Sequence, residues 1–159
     1  MSDEILYRPA EAKEVEDVAD IARVSRAYFM PYLPNLHSPE EDITYFRNRV
    51  FTECEVWVVQ CRRDLIGFCA FKQNWIEHVY LLLGDIGRGH GRTLVNKAKQ
   101  KHSFLQLWVF QRNTRARQFY ERNGFLKVKE TDGALNEEKL PDVLYEWYRP
   151  RPKEFNAQI

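Results

Sequence analysis

Gly87, Gly89 and Gly91 alternate with Arg88 and His90 inside Tyr80–Leu94 (YLLLGDIGRGHGRTL), between an apolar run and a helical pattern. Glycines at these places remove the side chains that would hold a ligand off the backbone. The first amides of the helix that follows have no intrahelical acceptor, and the helix dipole adds partial positive charge there. With Arg88 and Arg92 alongside, the stretch has the makings of a phosphate or pyrophosphate cradle. Spacing excludes two common phosphate motifs. A P-loop needs GxxxxGK[ST], and the chain contains no Gly-Lys pair. A dinucleotide fingerprint needs GxGxxG early in a βαβ unit, whereas this is GxGxG after several short strand patterns. On these residues alone, a solvated strand-to-helix turn stays open as the alternative.

The other reactive side chains limit the chemistry further. His37, His78, His90 and His102 show neither HExxH nor Cys/His ligand spacing, so no metal site is expected. Cys54, Cys61 and Cys69 are odd in number, lack CxxC spacing and fall in strand patterns. They read as reduced core thiols of a cytoplasmic protein, not as a disulfide framework or as nucleophiles. No apolar run approaches a membrane span, and MSDEILYRPA lacks the layout of a signal peptide. Net charge is +1, which gives no global attraction to nucleic acid or membrane. The distribution is uneven. Residues 88–122 carry nine Lys or Arg against the single acid Glu121, while acids gather in 11–20, 40–42 and 131–146. One region suits an anionic ligand and the others something cationic.

These residues need a frame. At 159 residues, 44% of them hydrophobic, the chain can bury one core, and residues 1–148 read as a single domain with a loose tail at 149–159. Strands are expected at Ile5–Arg8, Glu55–Cys61, Leu65–Lys72 and Trp75–Leu82, then at Leu105–Phe110, Phe125–Lys129 and Val143–Tyr148. Helices are expected at Glu11–Phe29, from Pro39 to about Phe51, at Arg92–Lys101 and at Thr114–Arg122, with Ser38 and Gly124 as end signals. Asp132–Asp142 reads as a polar loop. The fold class that follows is α/β (α+β), a mixed and mostly antiparallel sheet flanked by helices.

Leu107–Phe125, LWVFQRNTRARQFYERNGF, narrows the reading. With the strand, turn and helix before it, this segment resembles the GNAT family (GCN5-related N-acetyltransferases), enzymes that move an acetyl group from acetyl-CoA to an amine. The family pattern N-x-x-A-x-x-F-Y-x-x-x-G-F is complete at Asn113, Ala116, Phe119, Tyr120, Gly124 and Phe125. The turn pattern [QR]-x-x-G-x-[GA] is met at Gly89 and Gly91, with Ile86 where Gln or Arg is usual and Leu83 where proline is common. The resemblance covers residues 5–148. It implies the acyl-CoA N-acyltransferase fold, whose central strands splay apart.

The resemblance also implies roles. Acetyl-CoA would set its pyrophosphate on Gly87, Arg88, Gly89, His90, Gly91 and Arg92, and its pantetheine arm would pair with Val79, Tyr80 and Leu81 as an added strand. That strand and Leu105–Phe110 would part to leave a slot. An amide near Tyr80 or Leu81 would stabilise the oxyanion. Tyr120 is the expected proton donor to the leaving thiolate, a phenol of pKa about 10 facing a thiol of about 8.5. Asn113 would touch the pantetheine arm, although capping the helix at Thr114 would alone account for it. The attacking ammonium, of pKa about 10, must lose a proton, and Glu77 would take it through water, with His78 second. Strand alternation sends these neighbours to opposite faces unless a bulge intervenes. A solvated Glu77 and a core Tyr120 are the simpler alternatives.

Acceptor choice would fall to MPYLPNLHSPEED and TDGALNEEKLPD. Glu40, Glu41, Asp42, Glu137, Glu138 and Asp142 within them suit a cationic amine, whether a small molecule or a peptide or protein amine. A homodimer stays open, and no membrane partner is expected. Ile86 leaves more of the binding to backbone amides and the two arginines, so acetyl-CoA affinity is expected to be modest. Two rival readings remain. One is a catalytically weak acyl-CoA-binding member, suggested by Ile86 and Leu83. The other is nucleic-acid binding by residues 88–122, which carry no recognised motif for it.

Overall fold

Runs of β-branched and aromatic residues alternate with helical patterns along the chain. In the computed structural model, which describes residues 4–152, they form one seven-stranded sheet. The strands are β1 (Ile5–Pro9), β2 (Glu55–Cys61), β3 (Asp64–Lys72), β4 (Trp75–Leu81), β5 (Phe104–Phe110), β6 (Leu126–Thr131) and β7 (Asp142–Tyr148). The helices are α1 (Val15–Phe29), α2 (Pro39–Tyr45), the short α3 (Phe51–Glu53), α4 (His90–Lys101) and α5 (Thr114–Arg122). The sheet order is β1-β2-β3-β4-β5-β7-β6, with every neighbouring pair antiparallel except β4 and β5.

Alternation along the central strands builds two cores. Val56 and Val58 of β2 and Phe68 and Ala70 of β3 face α1, whose Val15, Val18, Ala19, Ile21 and Ala22 are buried against them. Val59, Cys69 and Phe71 point the other way, onto Leu94, Val95 and Ala98 of α4. Strands covered on both faces read as almost continuous apolar runs, which is what EVWVVQC and LIGFCAF are.

Several boundaries moved. The expected helix from Glu11 begins as a 3-10 turn at Ala12–Glu14 and becomes α-helical at Val15. The expected helix from Pro39 to Phe51 is interrupted after Tyr45 by a π-helical turn at Phe46–Val50, which puts Phe46 and Val50 into the α1 core. Ser38 caps it as expected, its Oγ accepting from Glu41 N–H at 3.1 Å. Helix α4 starts two residues early, at His90, and β6 starts one late, at Leu126.

The segment 132–141 is better ordered than a polar loop. Asn136 Nδ2 donates to Leu140 C=O at 2.7 Å and to Asp142 Oδ2 at 3.0 Å, and Gly133 (φ +80°) leaves no room for a Cβ, which would fall 2.1 Å from Leu140 O. At the start of the expected tail, Arg149 packs back on the domain. Its guanidinium donates to the carbonyls of Lys99, Gln100 and His102 at 2.9–3.2 Å, closing the C-terminal end of α4. Residues 153–159 of that tail lie outside the described residues. No helix among the described residues is long and apolar enough to cross a membrane.

Candidate active site

Parallel strands β4 and β5 meet at one place, where Trp75 pairs with Gln106 and Gln106 N–H reaches Asn74 C=O at 2.8 Å. Beyond it they diverge, and a cavity of about 550 Å³ opens in the gap. Glu77, His78, Val79 and Tyr80 line one side and Leu107–Phe110 the other, with Asn113, Ala116 and Tyr120 of the α5 region between them. The segment from Lys129 to Asp142 and Met30 form the far wall.

A bulge settles the relation of Glu77 to His78. Ala70 pairs with His78 but Phe71 pairs with Ile76, so Glu77 is an extra residue in β4. The parity change lets Ile76 and Val79, three apart, both face the α4 core. Glu77 is left exposed at the mouth of the gap, and both it and His78 line the cavity. His78 turns toward the α1 and α2 side, among Tyr45, Phe46, Phe68 and Tyr80, with Nε2 3.2 Å from the Tyr45 hydroxyl. Burial pushes its pKa down to about 4, helped by the Arg26 charge. The imidazole is therefore neutral at pH 7 and a weak proton acceptor.

The ladder decides which amides face the gap. Leu82 N–H bonds Ile66 C=O at 2.9 Å, so alternation turns Tyr80, opposite Phe68, toward β3 as well. Val79 and Leu81 direct their backbone groups to the open side. The expected oxyanion donor near Tyr80 or Leu81 thus narrows to Leu81 or its alternate Val79, since the Tyr80 amide is spent within the sheet. Leu81 C=O is already taken by Ser25 Oγ of α1 at 3.1 Å.

Tyr120 is 8% exposed, lies edge-on to Phe119 and Phe125, and reaches the cavity. Its hydroxyl has no hydrogen-bond partner among the described residues. Burial, with Cys69 and Tyr80 close by, raises its pKa, so the phenol keeps its proton and has it available to donate. Asn113 caps α5, Oδ1 accepting from Ala116 N–H at 3.2 Å, while Nδ2 contacts Met30 Sδ at 3.4 Å. Capping occupies one side of that amide even though the residue lines the cavity.

The glycine turn stands at the far end of β4, outside the cavity wall. Amides 87–92 have no backbone acceptor among the described residues, and the first bond across the turn is Thr93 N–H to Gly89 C=O at 3.1 Å. Gly87 (φ +83°) and Gly89 (φ +85°) adopt the left-handed region, with open space where a Cβ would stand. Gly91 packs against α5, where a Cβ would fall 3.2 Å from the Phe119 ring. Arg88 and Arg92 are exposed and make no ion pair among the described residues. His90 is different: its ring is buried, with Nδ1 2.6 Å from the Tyr7 hydroxyl, so only its amide faces the turn. Elsewhere in the basic stretch, Lys97 lies over Trp57, Lys99 over Trp147, Arg112 over Tyr32 and Arg115 over Phe29, while Lys101 pairs with Glu55.

Of the six acids expected to receive an amine, Glu138 and Asp142 line the cavity. Asp42 pairs with Arg23 at 2.7 Å, Glu41 completes the Ser38 cap, and Glu137 lies 2.5 Å from His37 Nε2. Glu40 is exposed on α2. Asp132 and Leu135 come from the TDGALNEEKLPD segment expected to choose the acceptor, whereas Trp108 and Lys129 were not anticipated. Nothing local marks Trp108 or Lys129, because the β5–β7–β6 arrangement brings them to the gap. No group of three His, Cys, Asp or Glu that could hold a metal occurs among the described residues.

The sequence model of the acetyltransferase (GNAT) domain matches residues 52–127. The peptidyl-lysine N-acetyltransferase YiaC of Escherichia coli strain K12 is 28% identical over 107 residues, 66% of this chain and 71% of that protein. The solution structure of apo-form YjaB from Escherichia coli superposes with TM-score 0.75 at 21% identity, covering 92% of this chain and 99% of that one. The PaiA N-acetyltransferase from Thermoplasma acidophilum, solved with coenzyme A, gives TM-score 0.69 at 22% identity over 91% and 99%.

Proposed function

We propose that this chain, similar to the GNAT acetyltransferases over residues 52–127, moves an acetyl group from acetyl-CoA to a primary amine by direct attack in a ternary complex. One observation carries the proposal: the open edge of β4 at Val79 and Leu81, facing a cavity that Tyr120 and Glu77 also line. An amide-rich pantetheine arm can add to that edge as a strand. The free amides of 87–92, with Arg88 and Arg92, then receive the pyrophosphate. The attacking amine gives its proton toward Glu77, whose exposure suits transfer through water. The Leu81 or Val79 amide offers a donor to the carbonyl oxygen, and Tyr120 protonates the leaving sulfur.

The acceptor favoured is a lysine side chain of a peptide, the substrate type in the name of the curated relative. Trp108, Phe110 and Leu135 offer apolar walls for a methylene stem, and the exposed Glu77 supplies negative charge for an ammonium. Glu138 pairs with Arg26 at 3.6 Å, and Asp142 already accepts from Thr131 and Asn136. The test is free-thiol release from acetyl-CoA with lysine peptides and with small amines. Thiol release with the peptides is expected, and Tyr120→Phe and Glu77→Gln should each lower kcat by ~10²–10⁴-fold. Small amines outperforming peptides would replace the acceptor, and unchanged rates in both variants would refute the roles.

A further inference from the structure

The amide cradle has to be aimed, and little stands behind it. Gly87, Arg88 and Gly89 are exposed, and neither glycine has a heavy atom near its missing side chain. Backbone bonds close the turn only locally, from Asp85 to Leu82 at 3.0 Å, Ile86 to Leu83 at 3.4 Å and Thr93 to Gly89 at 3.1 Å. One side chain at the start of α4 ties it back to the sheet. His90 is the first residue of that helix and 7% exposed, and its Nδ1 meets the Tyr7 hydroxyl on β1 at 2.6 Å. The two rings are tilted 50° to each other, with centroids 6.0 Å apart. An imidazole gains nothing from this place as a helix start, since caps favour small polar residues and the dipole disfavours a cation there. A buried, hydrogen-bonded ring at that position serves to fix the helix.

We propose that Tyr7 and His90 are a positioning pair for the pyrophosphate cradle. Their hydrogen bond anchors the first turn of α4 to β1 and thereby sets the direction of the amides of Gly89 through Arg92. The inference rests on the acetyl-CoA reading above. Neither side chain lines the β4–β5 cavity, so the pair acts through the turn and not on the thioester. Without the bond, the first turn of α4 is held by the packing of Gly91 on Phe119 alone, and the cost of ordering the amides on binding falls on affinity. The edge at Val79 and Leu81 is held separately, through its ladder with β3 and through Ser25.

The test compares dissociation constants for acetyl-CoA and for S-acetylpantetheine, which lacks the pyrophosphate. Tyr7→Phe and His90→Ala should weaken acetyl-CoA about three- to tenfold, the worth of one hydrogen bond, and leave S-acetylpantetheine at its wild-type value. His90→Asn should restore acetyl-CoA binding, because Asn Oδ1 occupies the position of Nδ1. Equal weakening of both ligands would overturn the pair as a cradle device, as would acetyl-CoA binding unaffected by Tyr7→Phe. Wild-type protein that binds neither thioester would overturn the acetyl-CoA reading itself and this inference with it.

Discussion

At the scale of single residues, two neighbours on one strand receive opposite characters from their surroundings. Glu77 and His78 are both able to accept a proton, and the bulge in β4 lets both reach the cavity. Burial among Tyr45, Phe46 and Phe68 lowers the His78 pKa to about 4, so it carries no proton at neutral pH and holds one poorly. Tyr120 is pushed the other way and remains a donor. The expected pH profile follows. Activity should rise through pH 7–9 as a growing fraction of the amine, of pKa about 10, is free. No inflection from His78 is expected near its ordinary value of 6.5, and His78→Gln should keep the shape of the curve. An inflection there that vanished in His78→Gln would transfer the base role from Glu77 to His78.

At the scale of elements, the open edge of β4 is kept in register by a glycine on the strand beside it. A Cβ on Gly67 would fall 2.3 Å from Leu81 Cδ2 and 2.8 Å from Tyr80 O. The side chain could turn aside, but the carbonyl belongs to the backbone that the ladder fixes. Gly67→Ala should therefore cost about 1–3 kcal/mol in urea unfolding and raise the KM for acetyl-CoA, because β4 shifts at Tyr80 and Leu81. A variant with lower stability but unchanged KM would show that the edge tolerates displacement. Nothing in the strand pattern LIGFCAFK singles out Gly67. Its close approach to Leu81 is a property of the β3–β4 register alone.

At the scale of the whole molecule, the first strand is joined to the first helix by an ion pair far from the cavity. Arg8 grips Glu14 with both terminal nitrogens, at 2.8 and 2.7 Å, and Glu11 N–H adds a bond to the same carboxylate at 2.8 Å. These contacts hold the Glu14 carboxyl below the usual carboxylate range against the opposing effect of its burial. The folded protein thus binds that proton less readily than the unfolded chain. The stabilisation is complete above the ordinary value of 4.5 and is lost as pH falls below it toward the depressed value. Glu14→Gln should lower stability by about 1–3 kcal/mol at pH 7, with the gap to wild type narrowing at acid pH. A gap of constant size down to pH 3 would count against the ion pair as its origin.

The sequence by itself located the elements and pointed to the family. Sequence patterns located the seven strands within a residue or two, most clearly at β2 and β3, which are covered on both faces and must be apolar throughout. Asn113 through Phe125 and the alternating glycines pointed to the family because they match its pattern in residue type and spacing. What local signals could not carry was anything dependent on two distant segments meeting. The bulge that brings Glu77 and His78 to one cavity arises from pairing with β3, and the opening between β4 and β5 arises from their single point of contact. The same holds for the His90 ring. Its neighbours in sequence mark it as part of a phosphate turn, but its partner Tyr7 stands 83 residues away. Only the packing of α4 over the sheet turns that ring inward and leaves its amide on the turn.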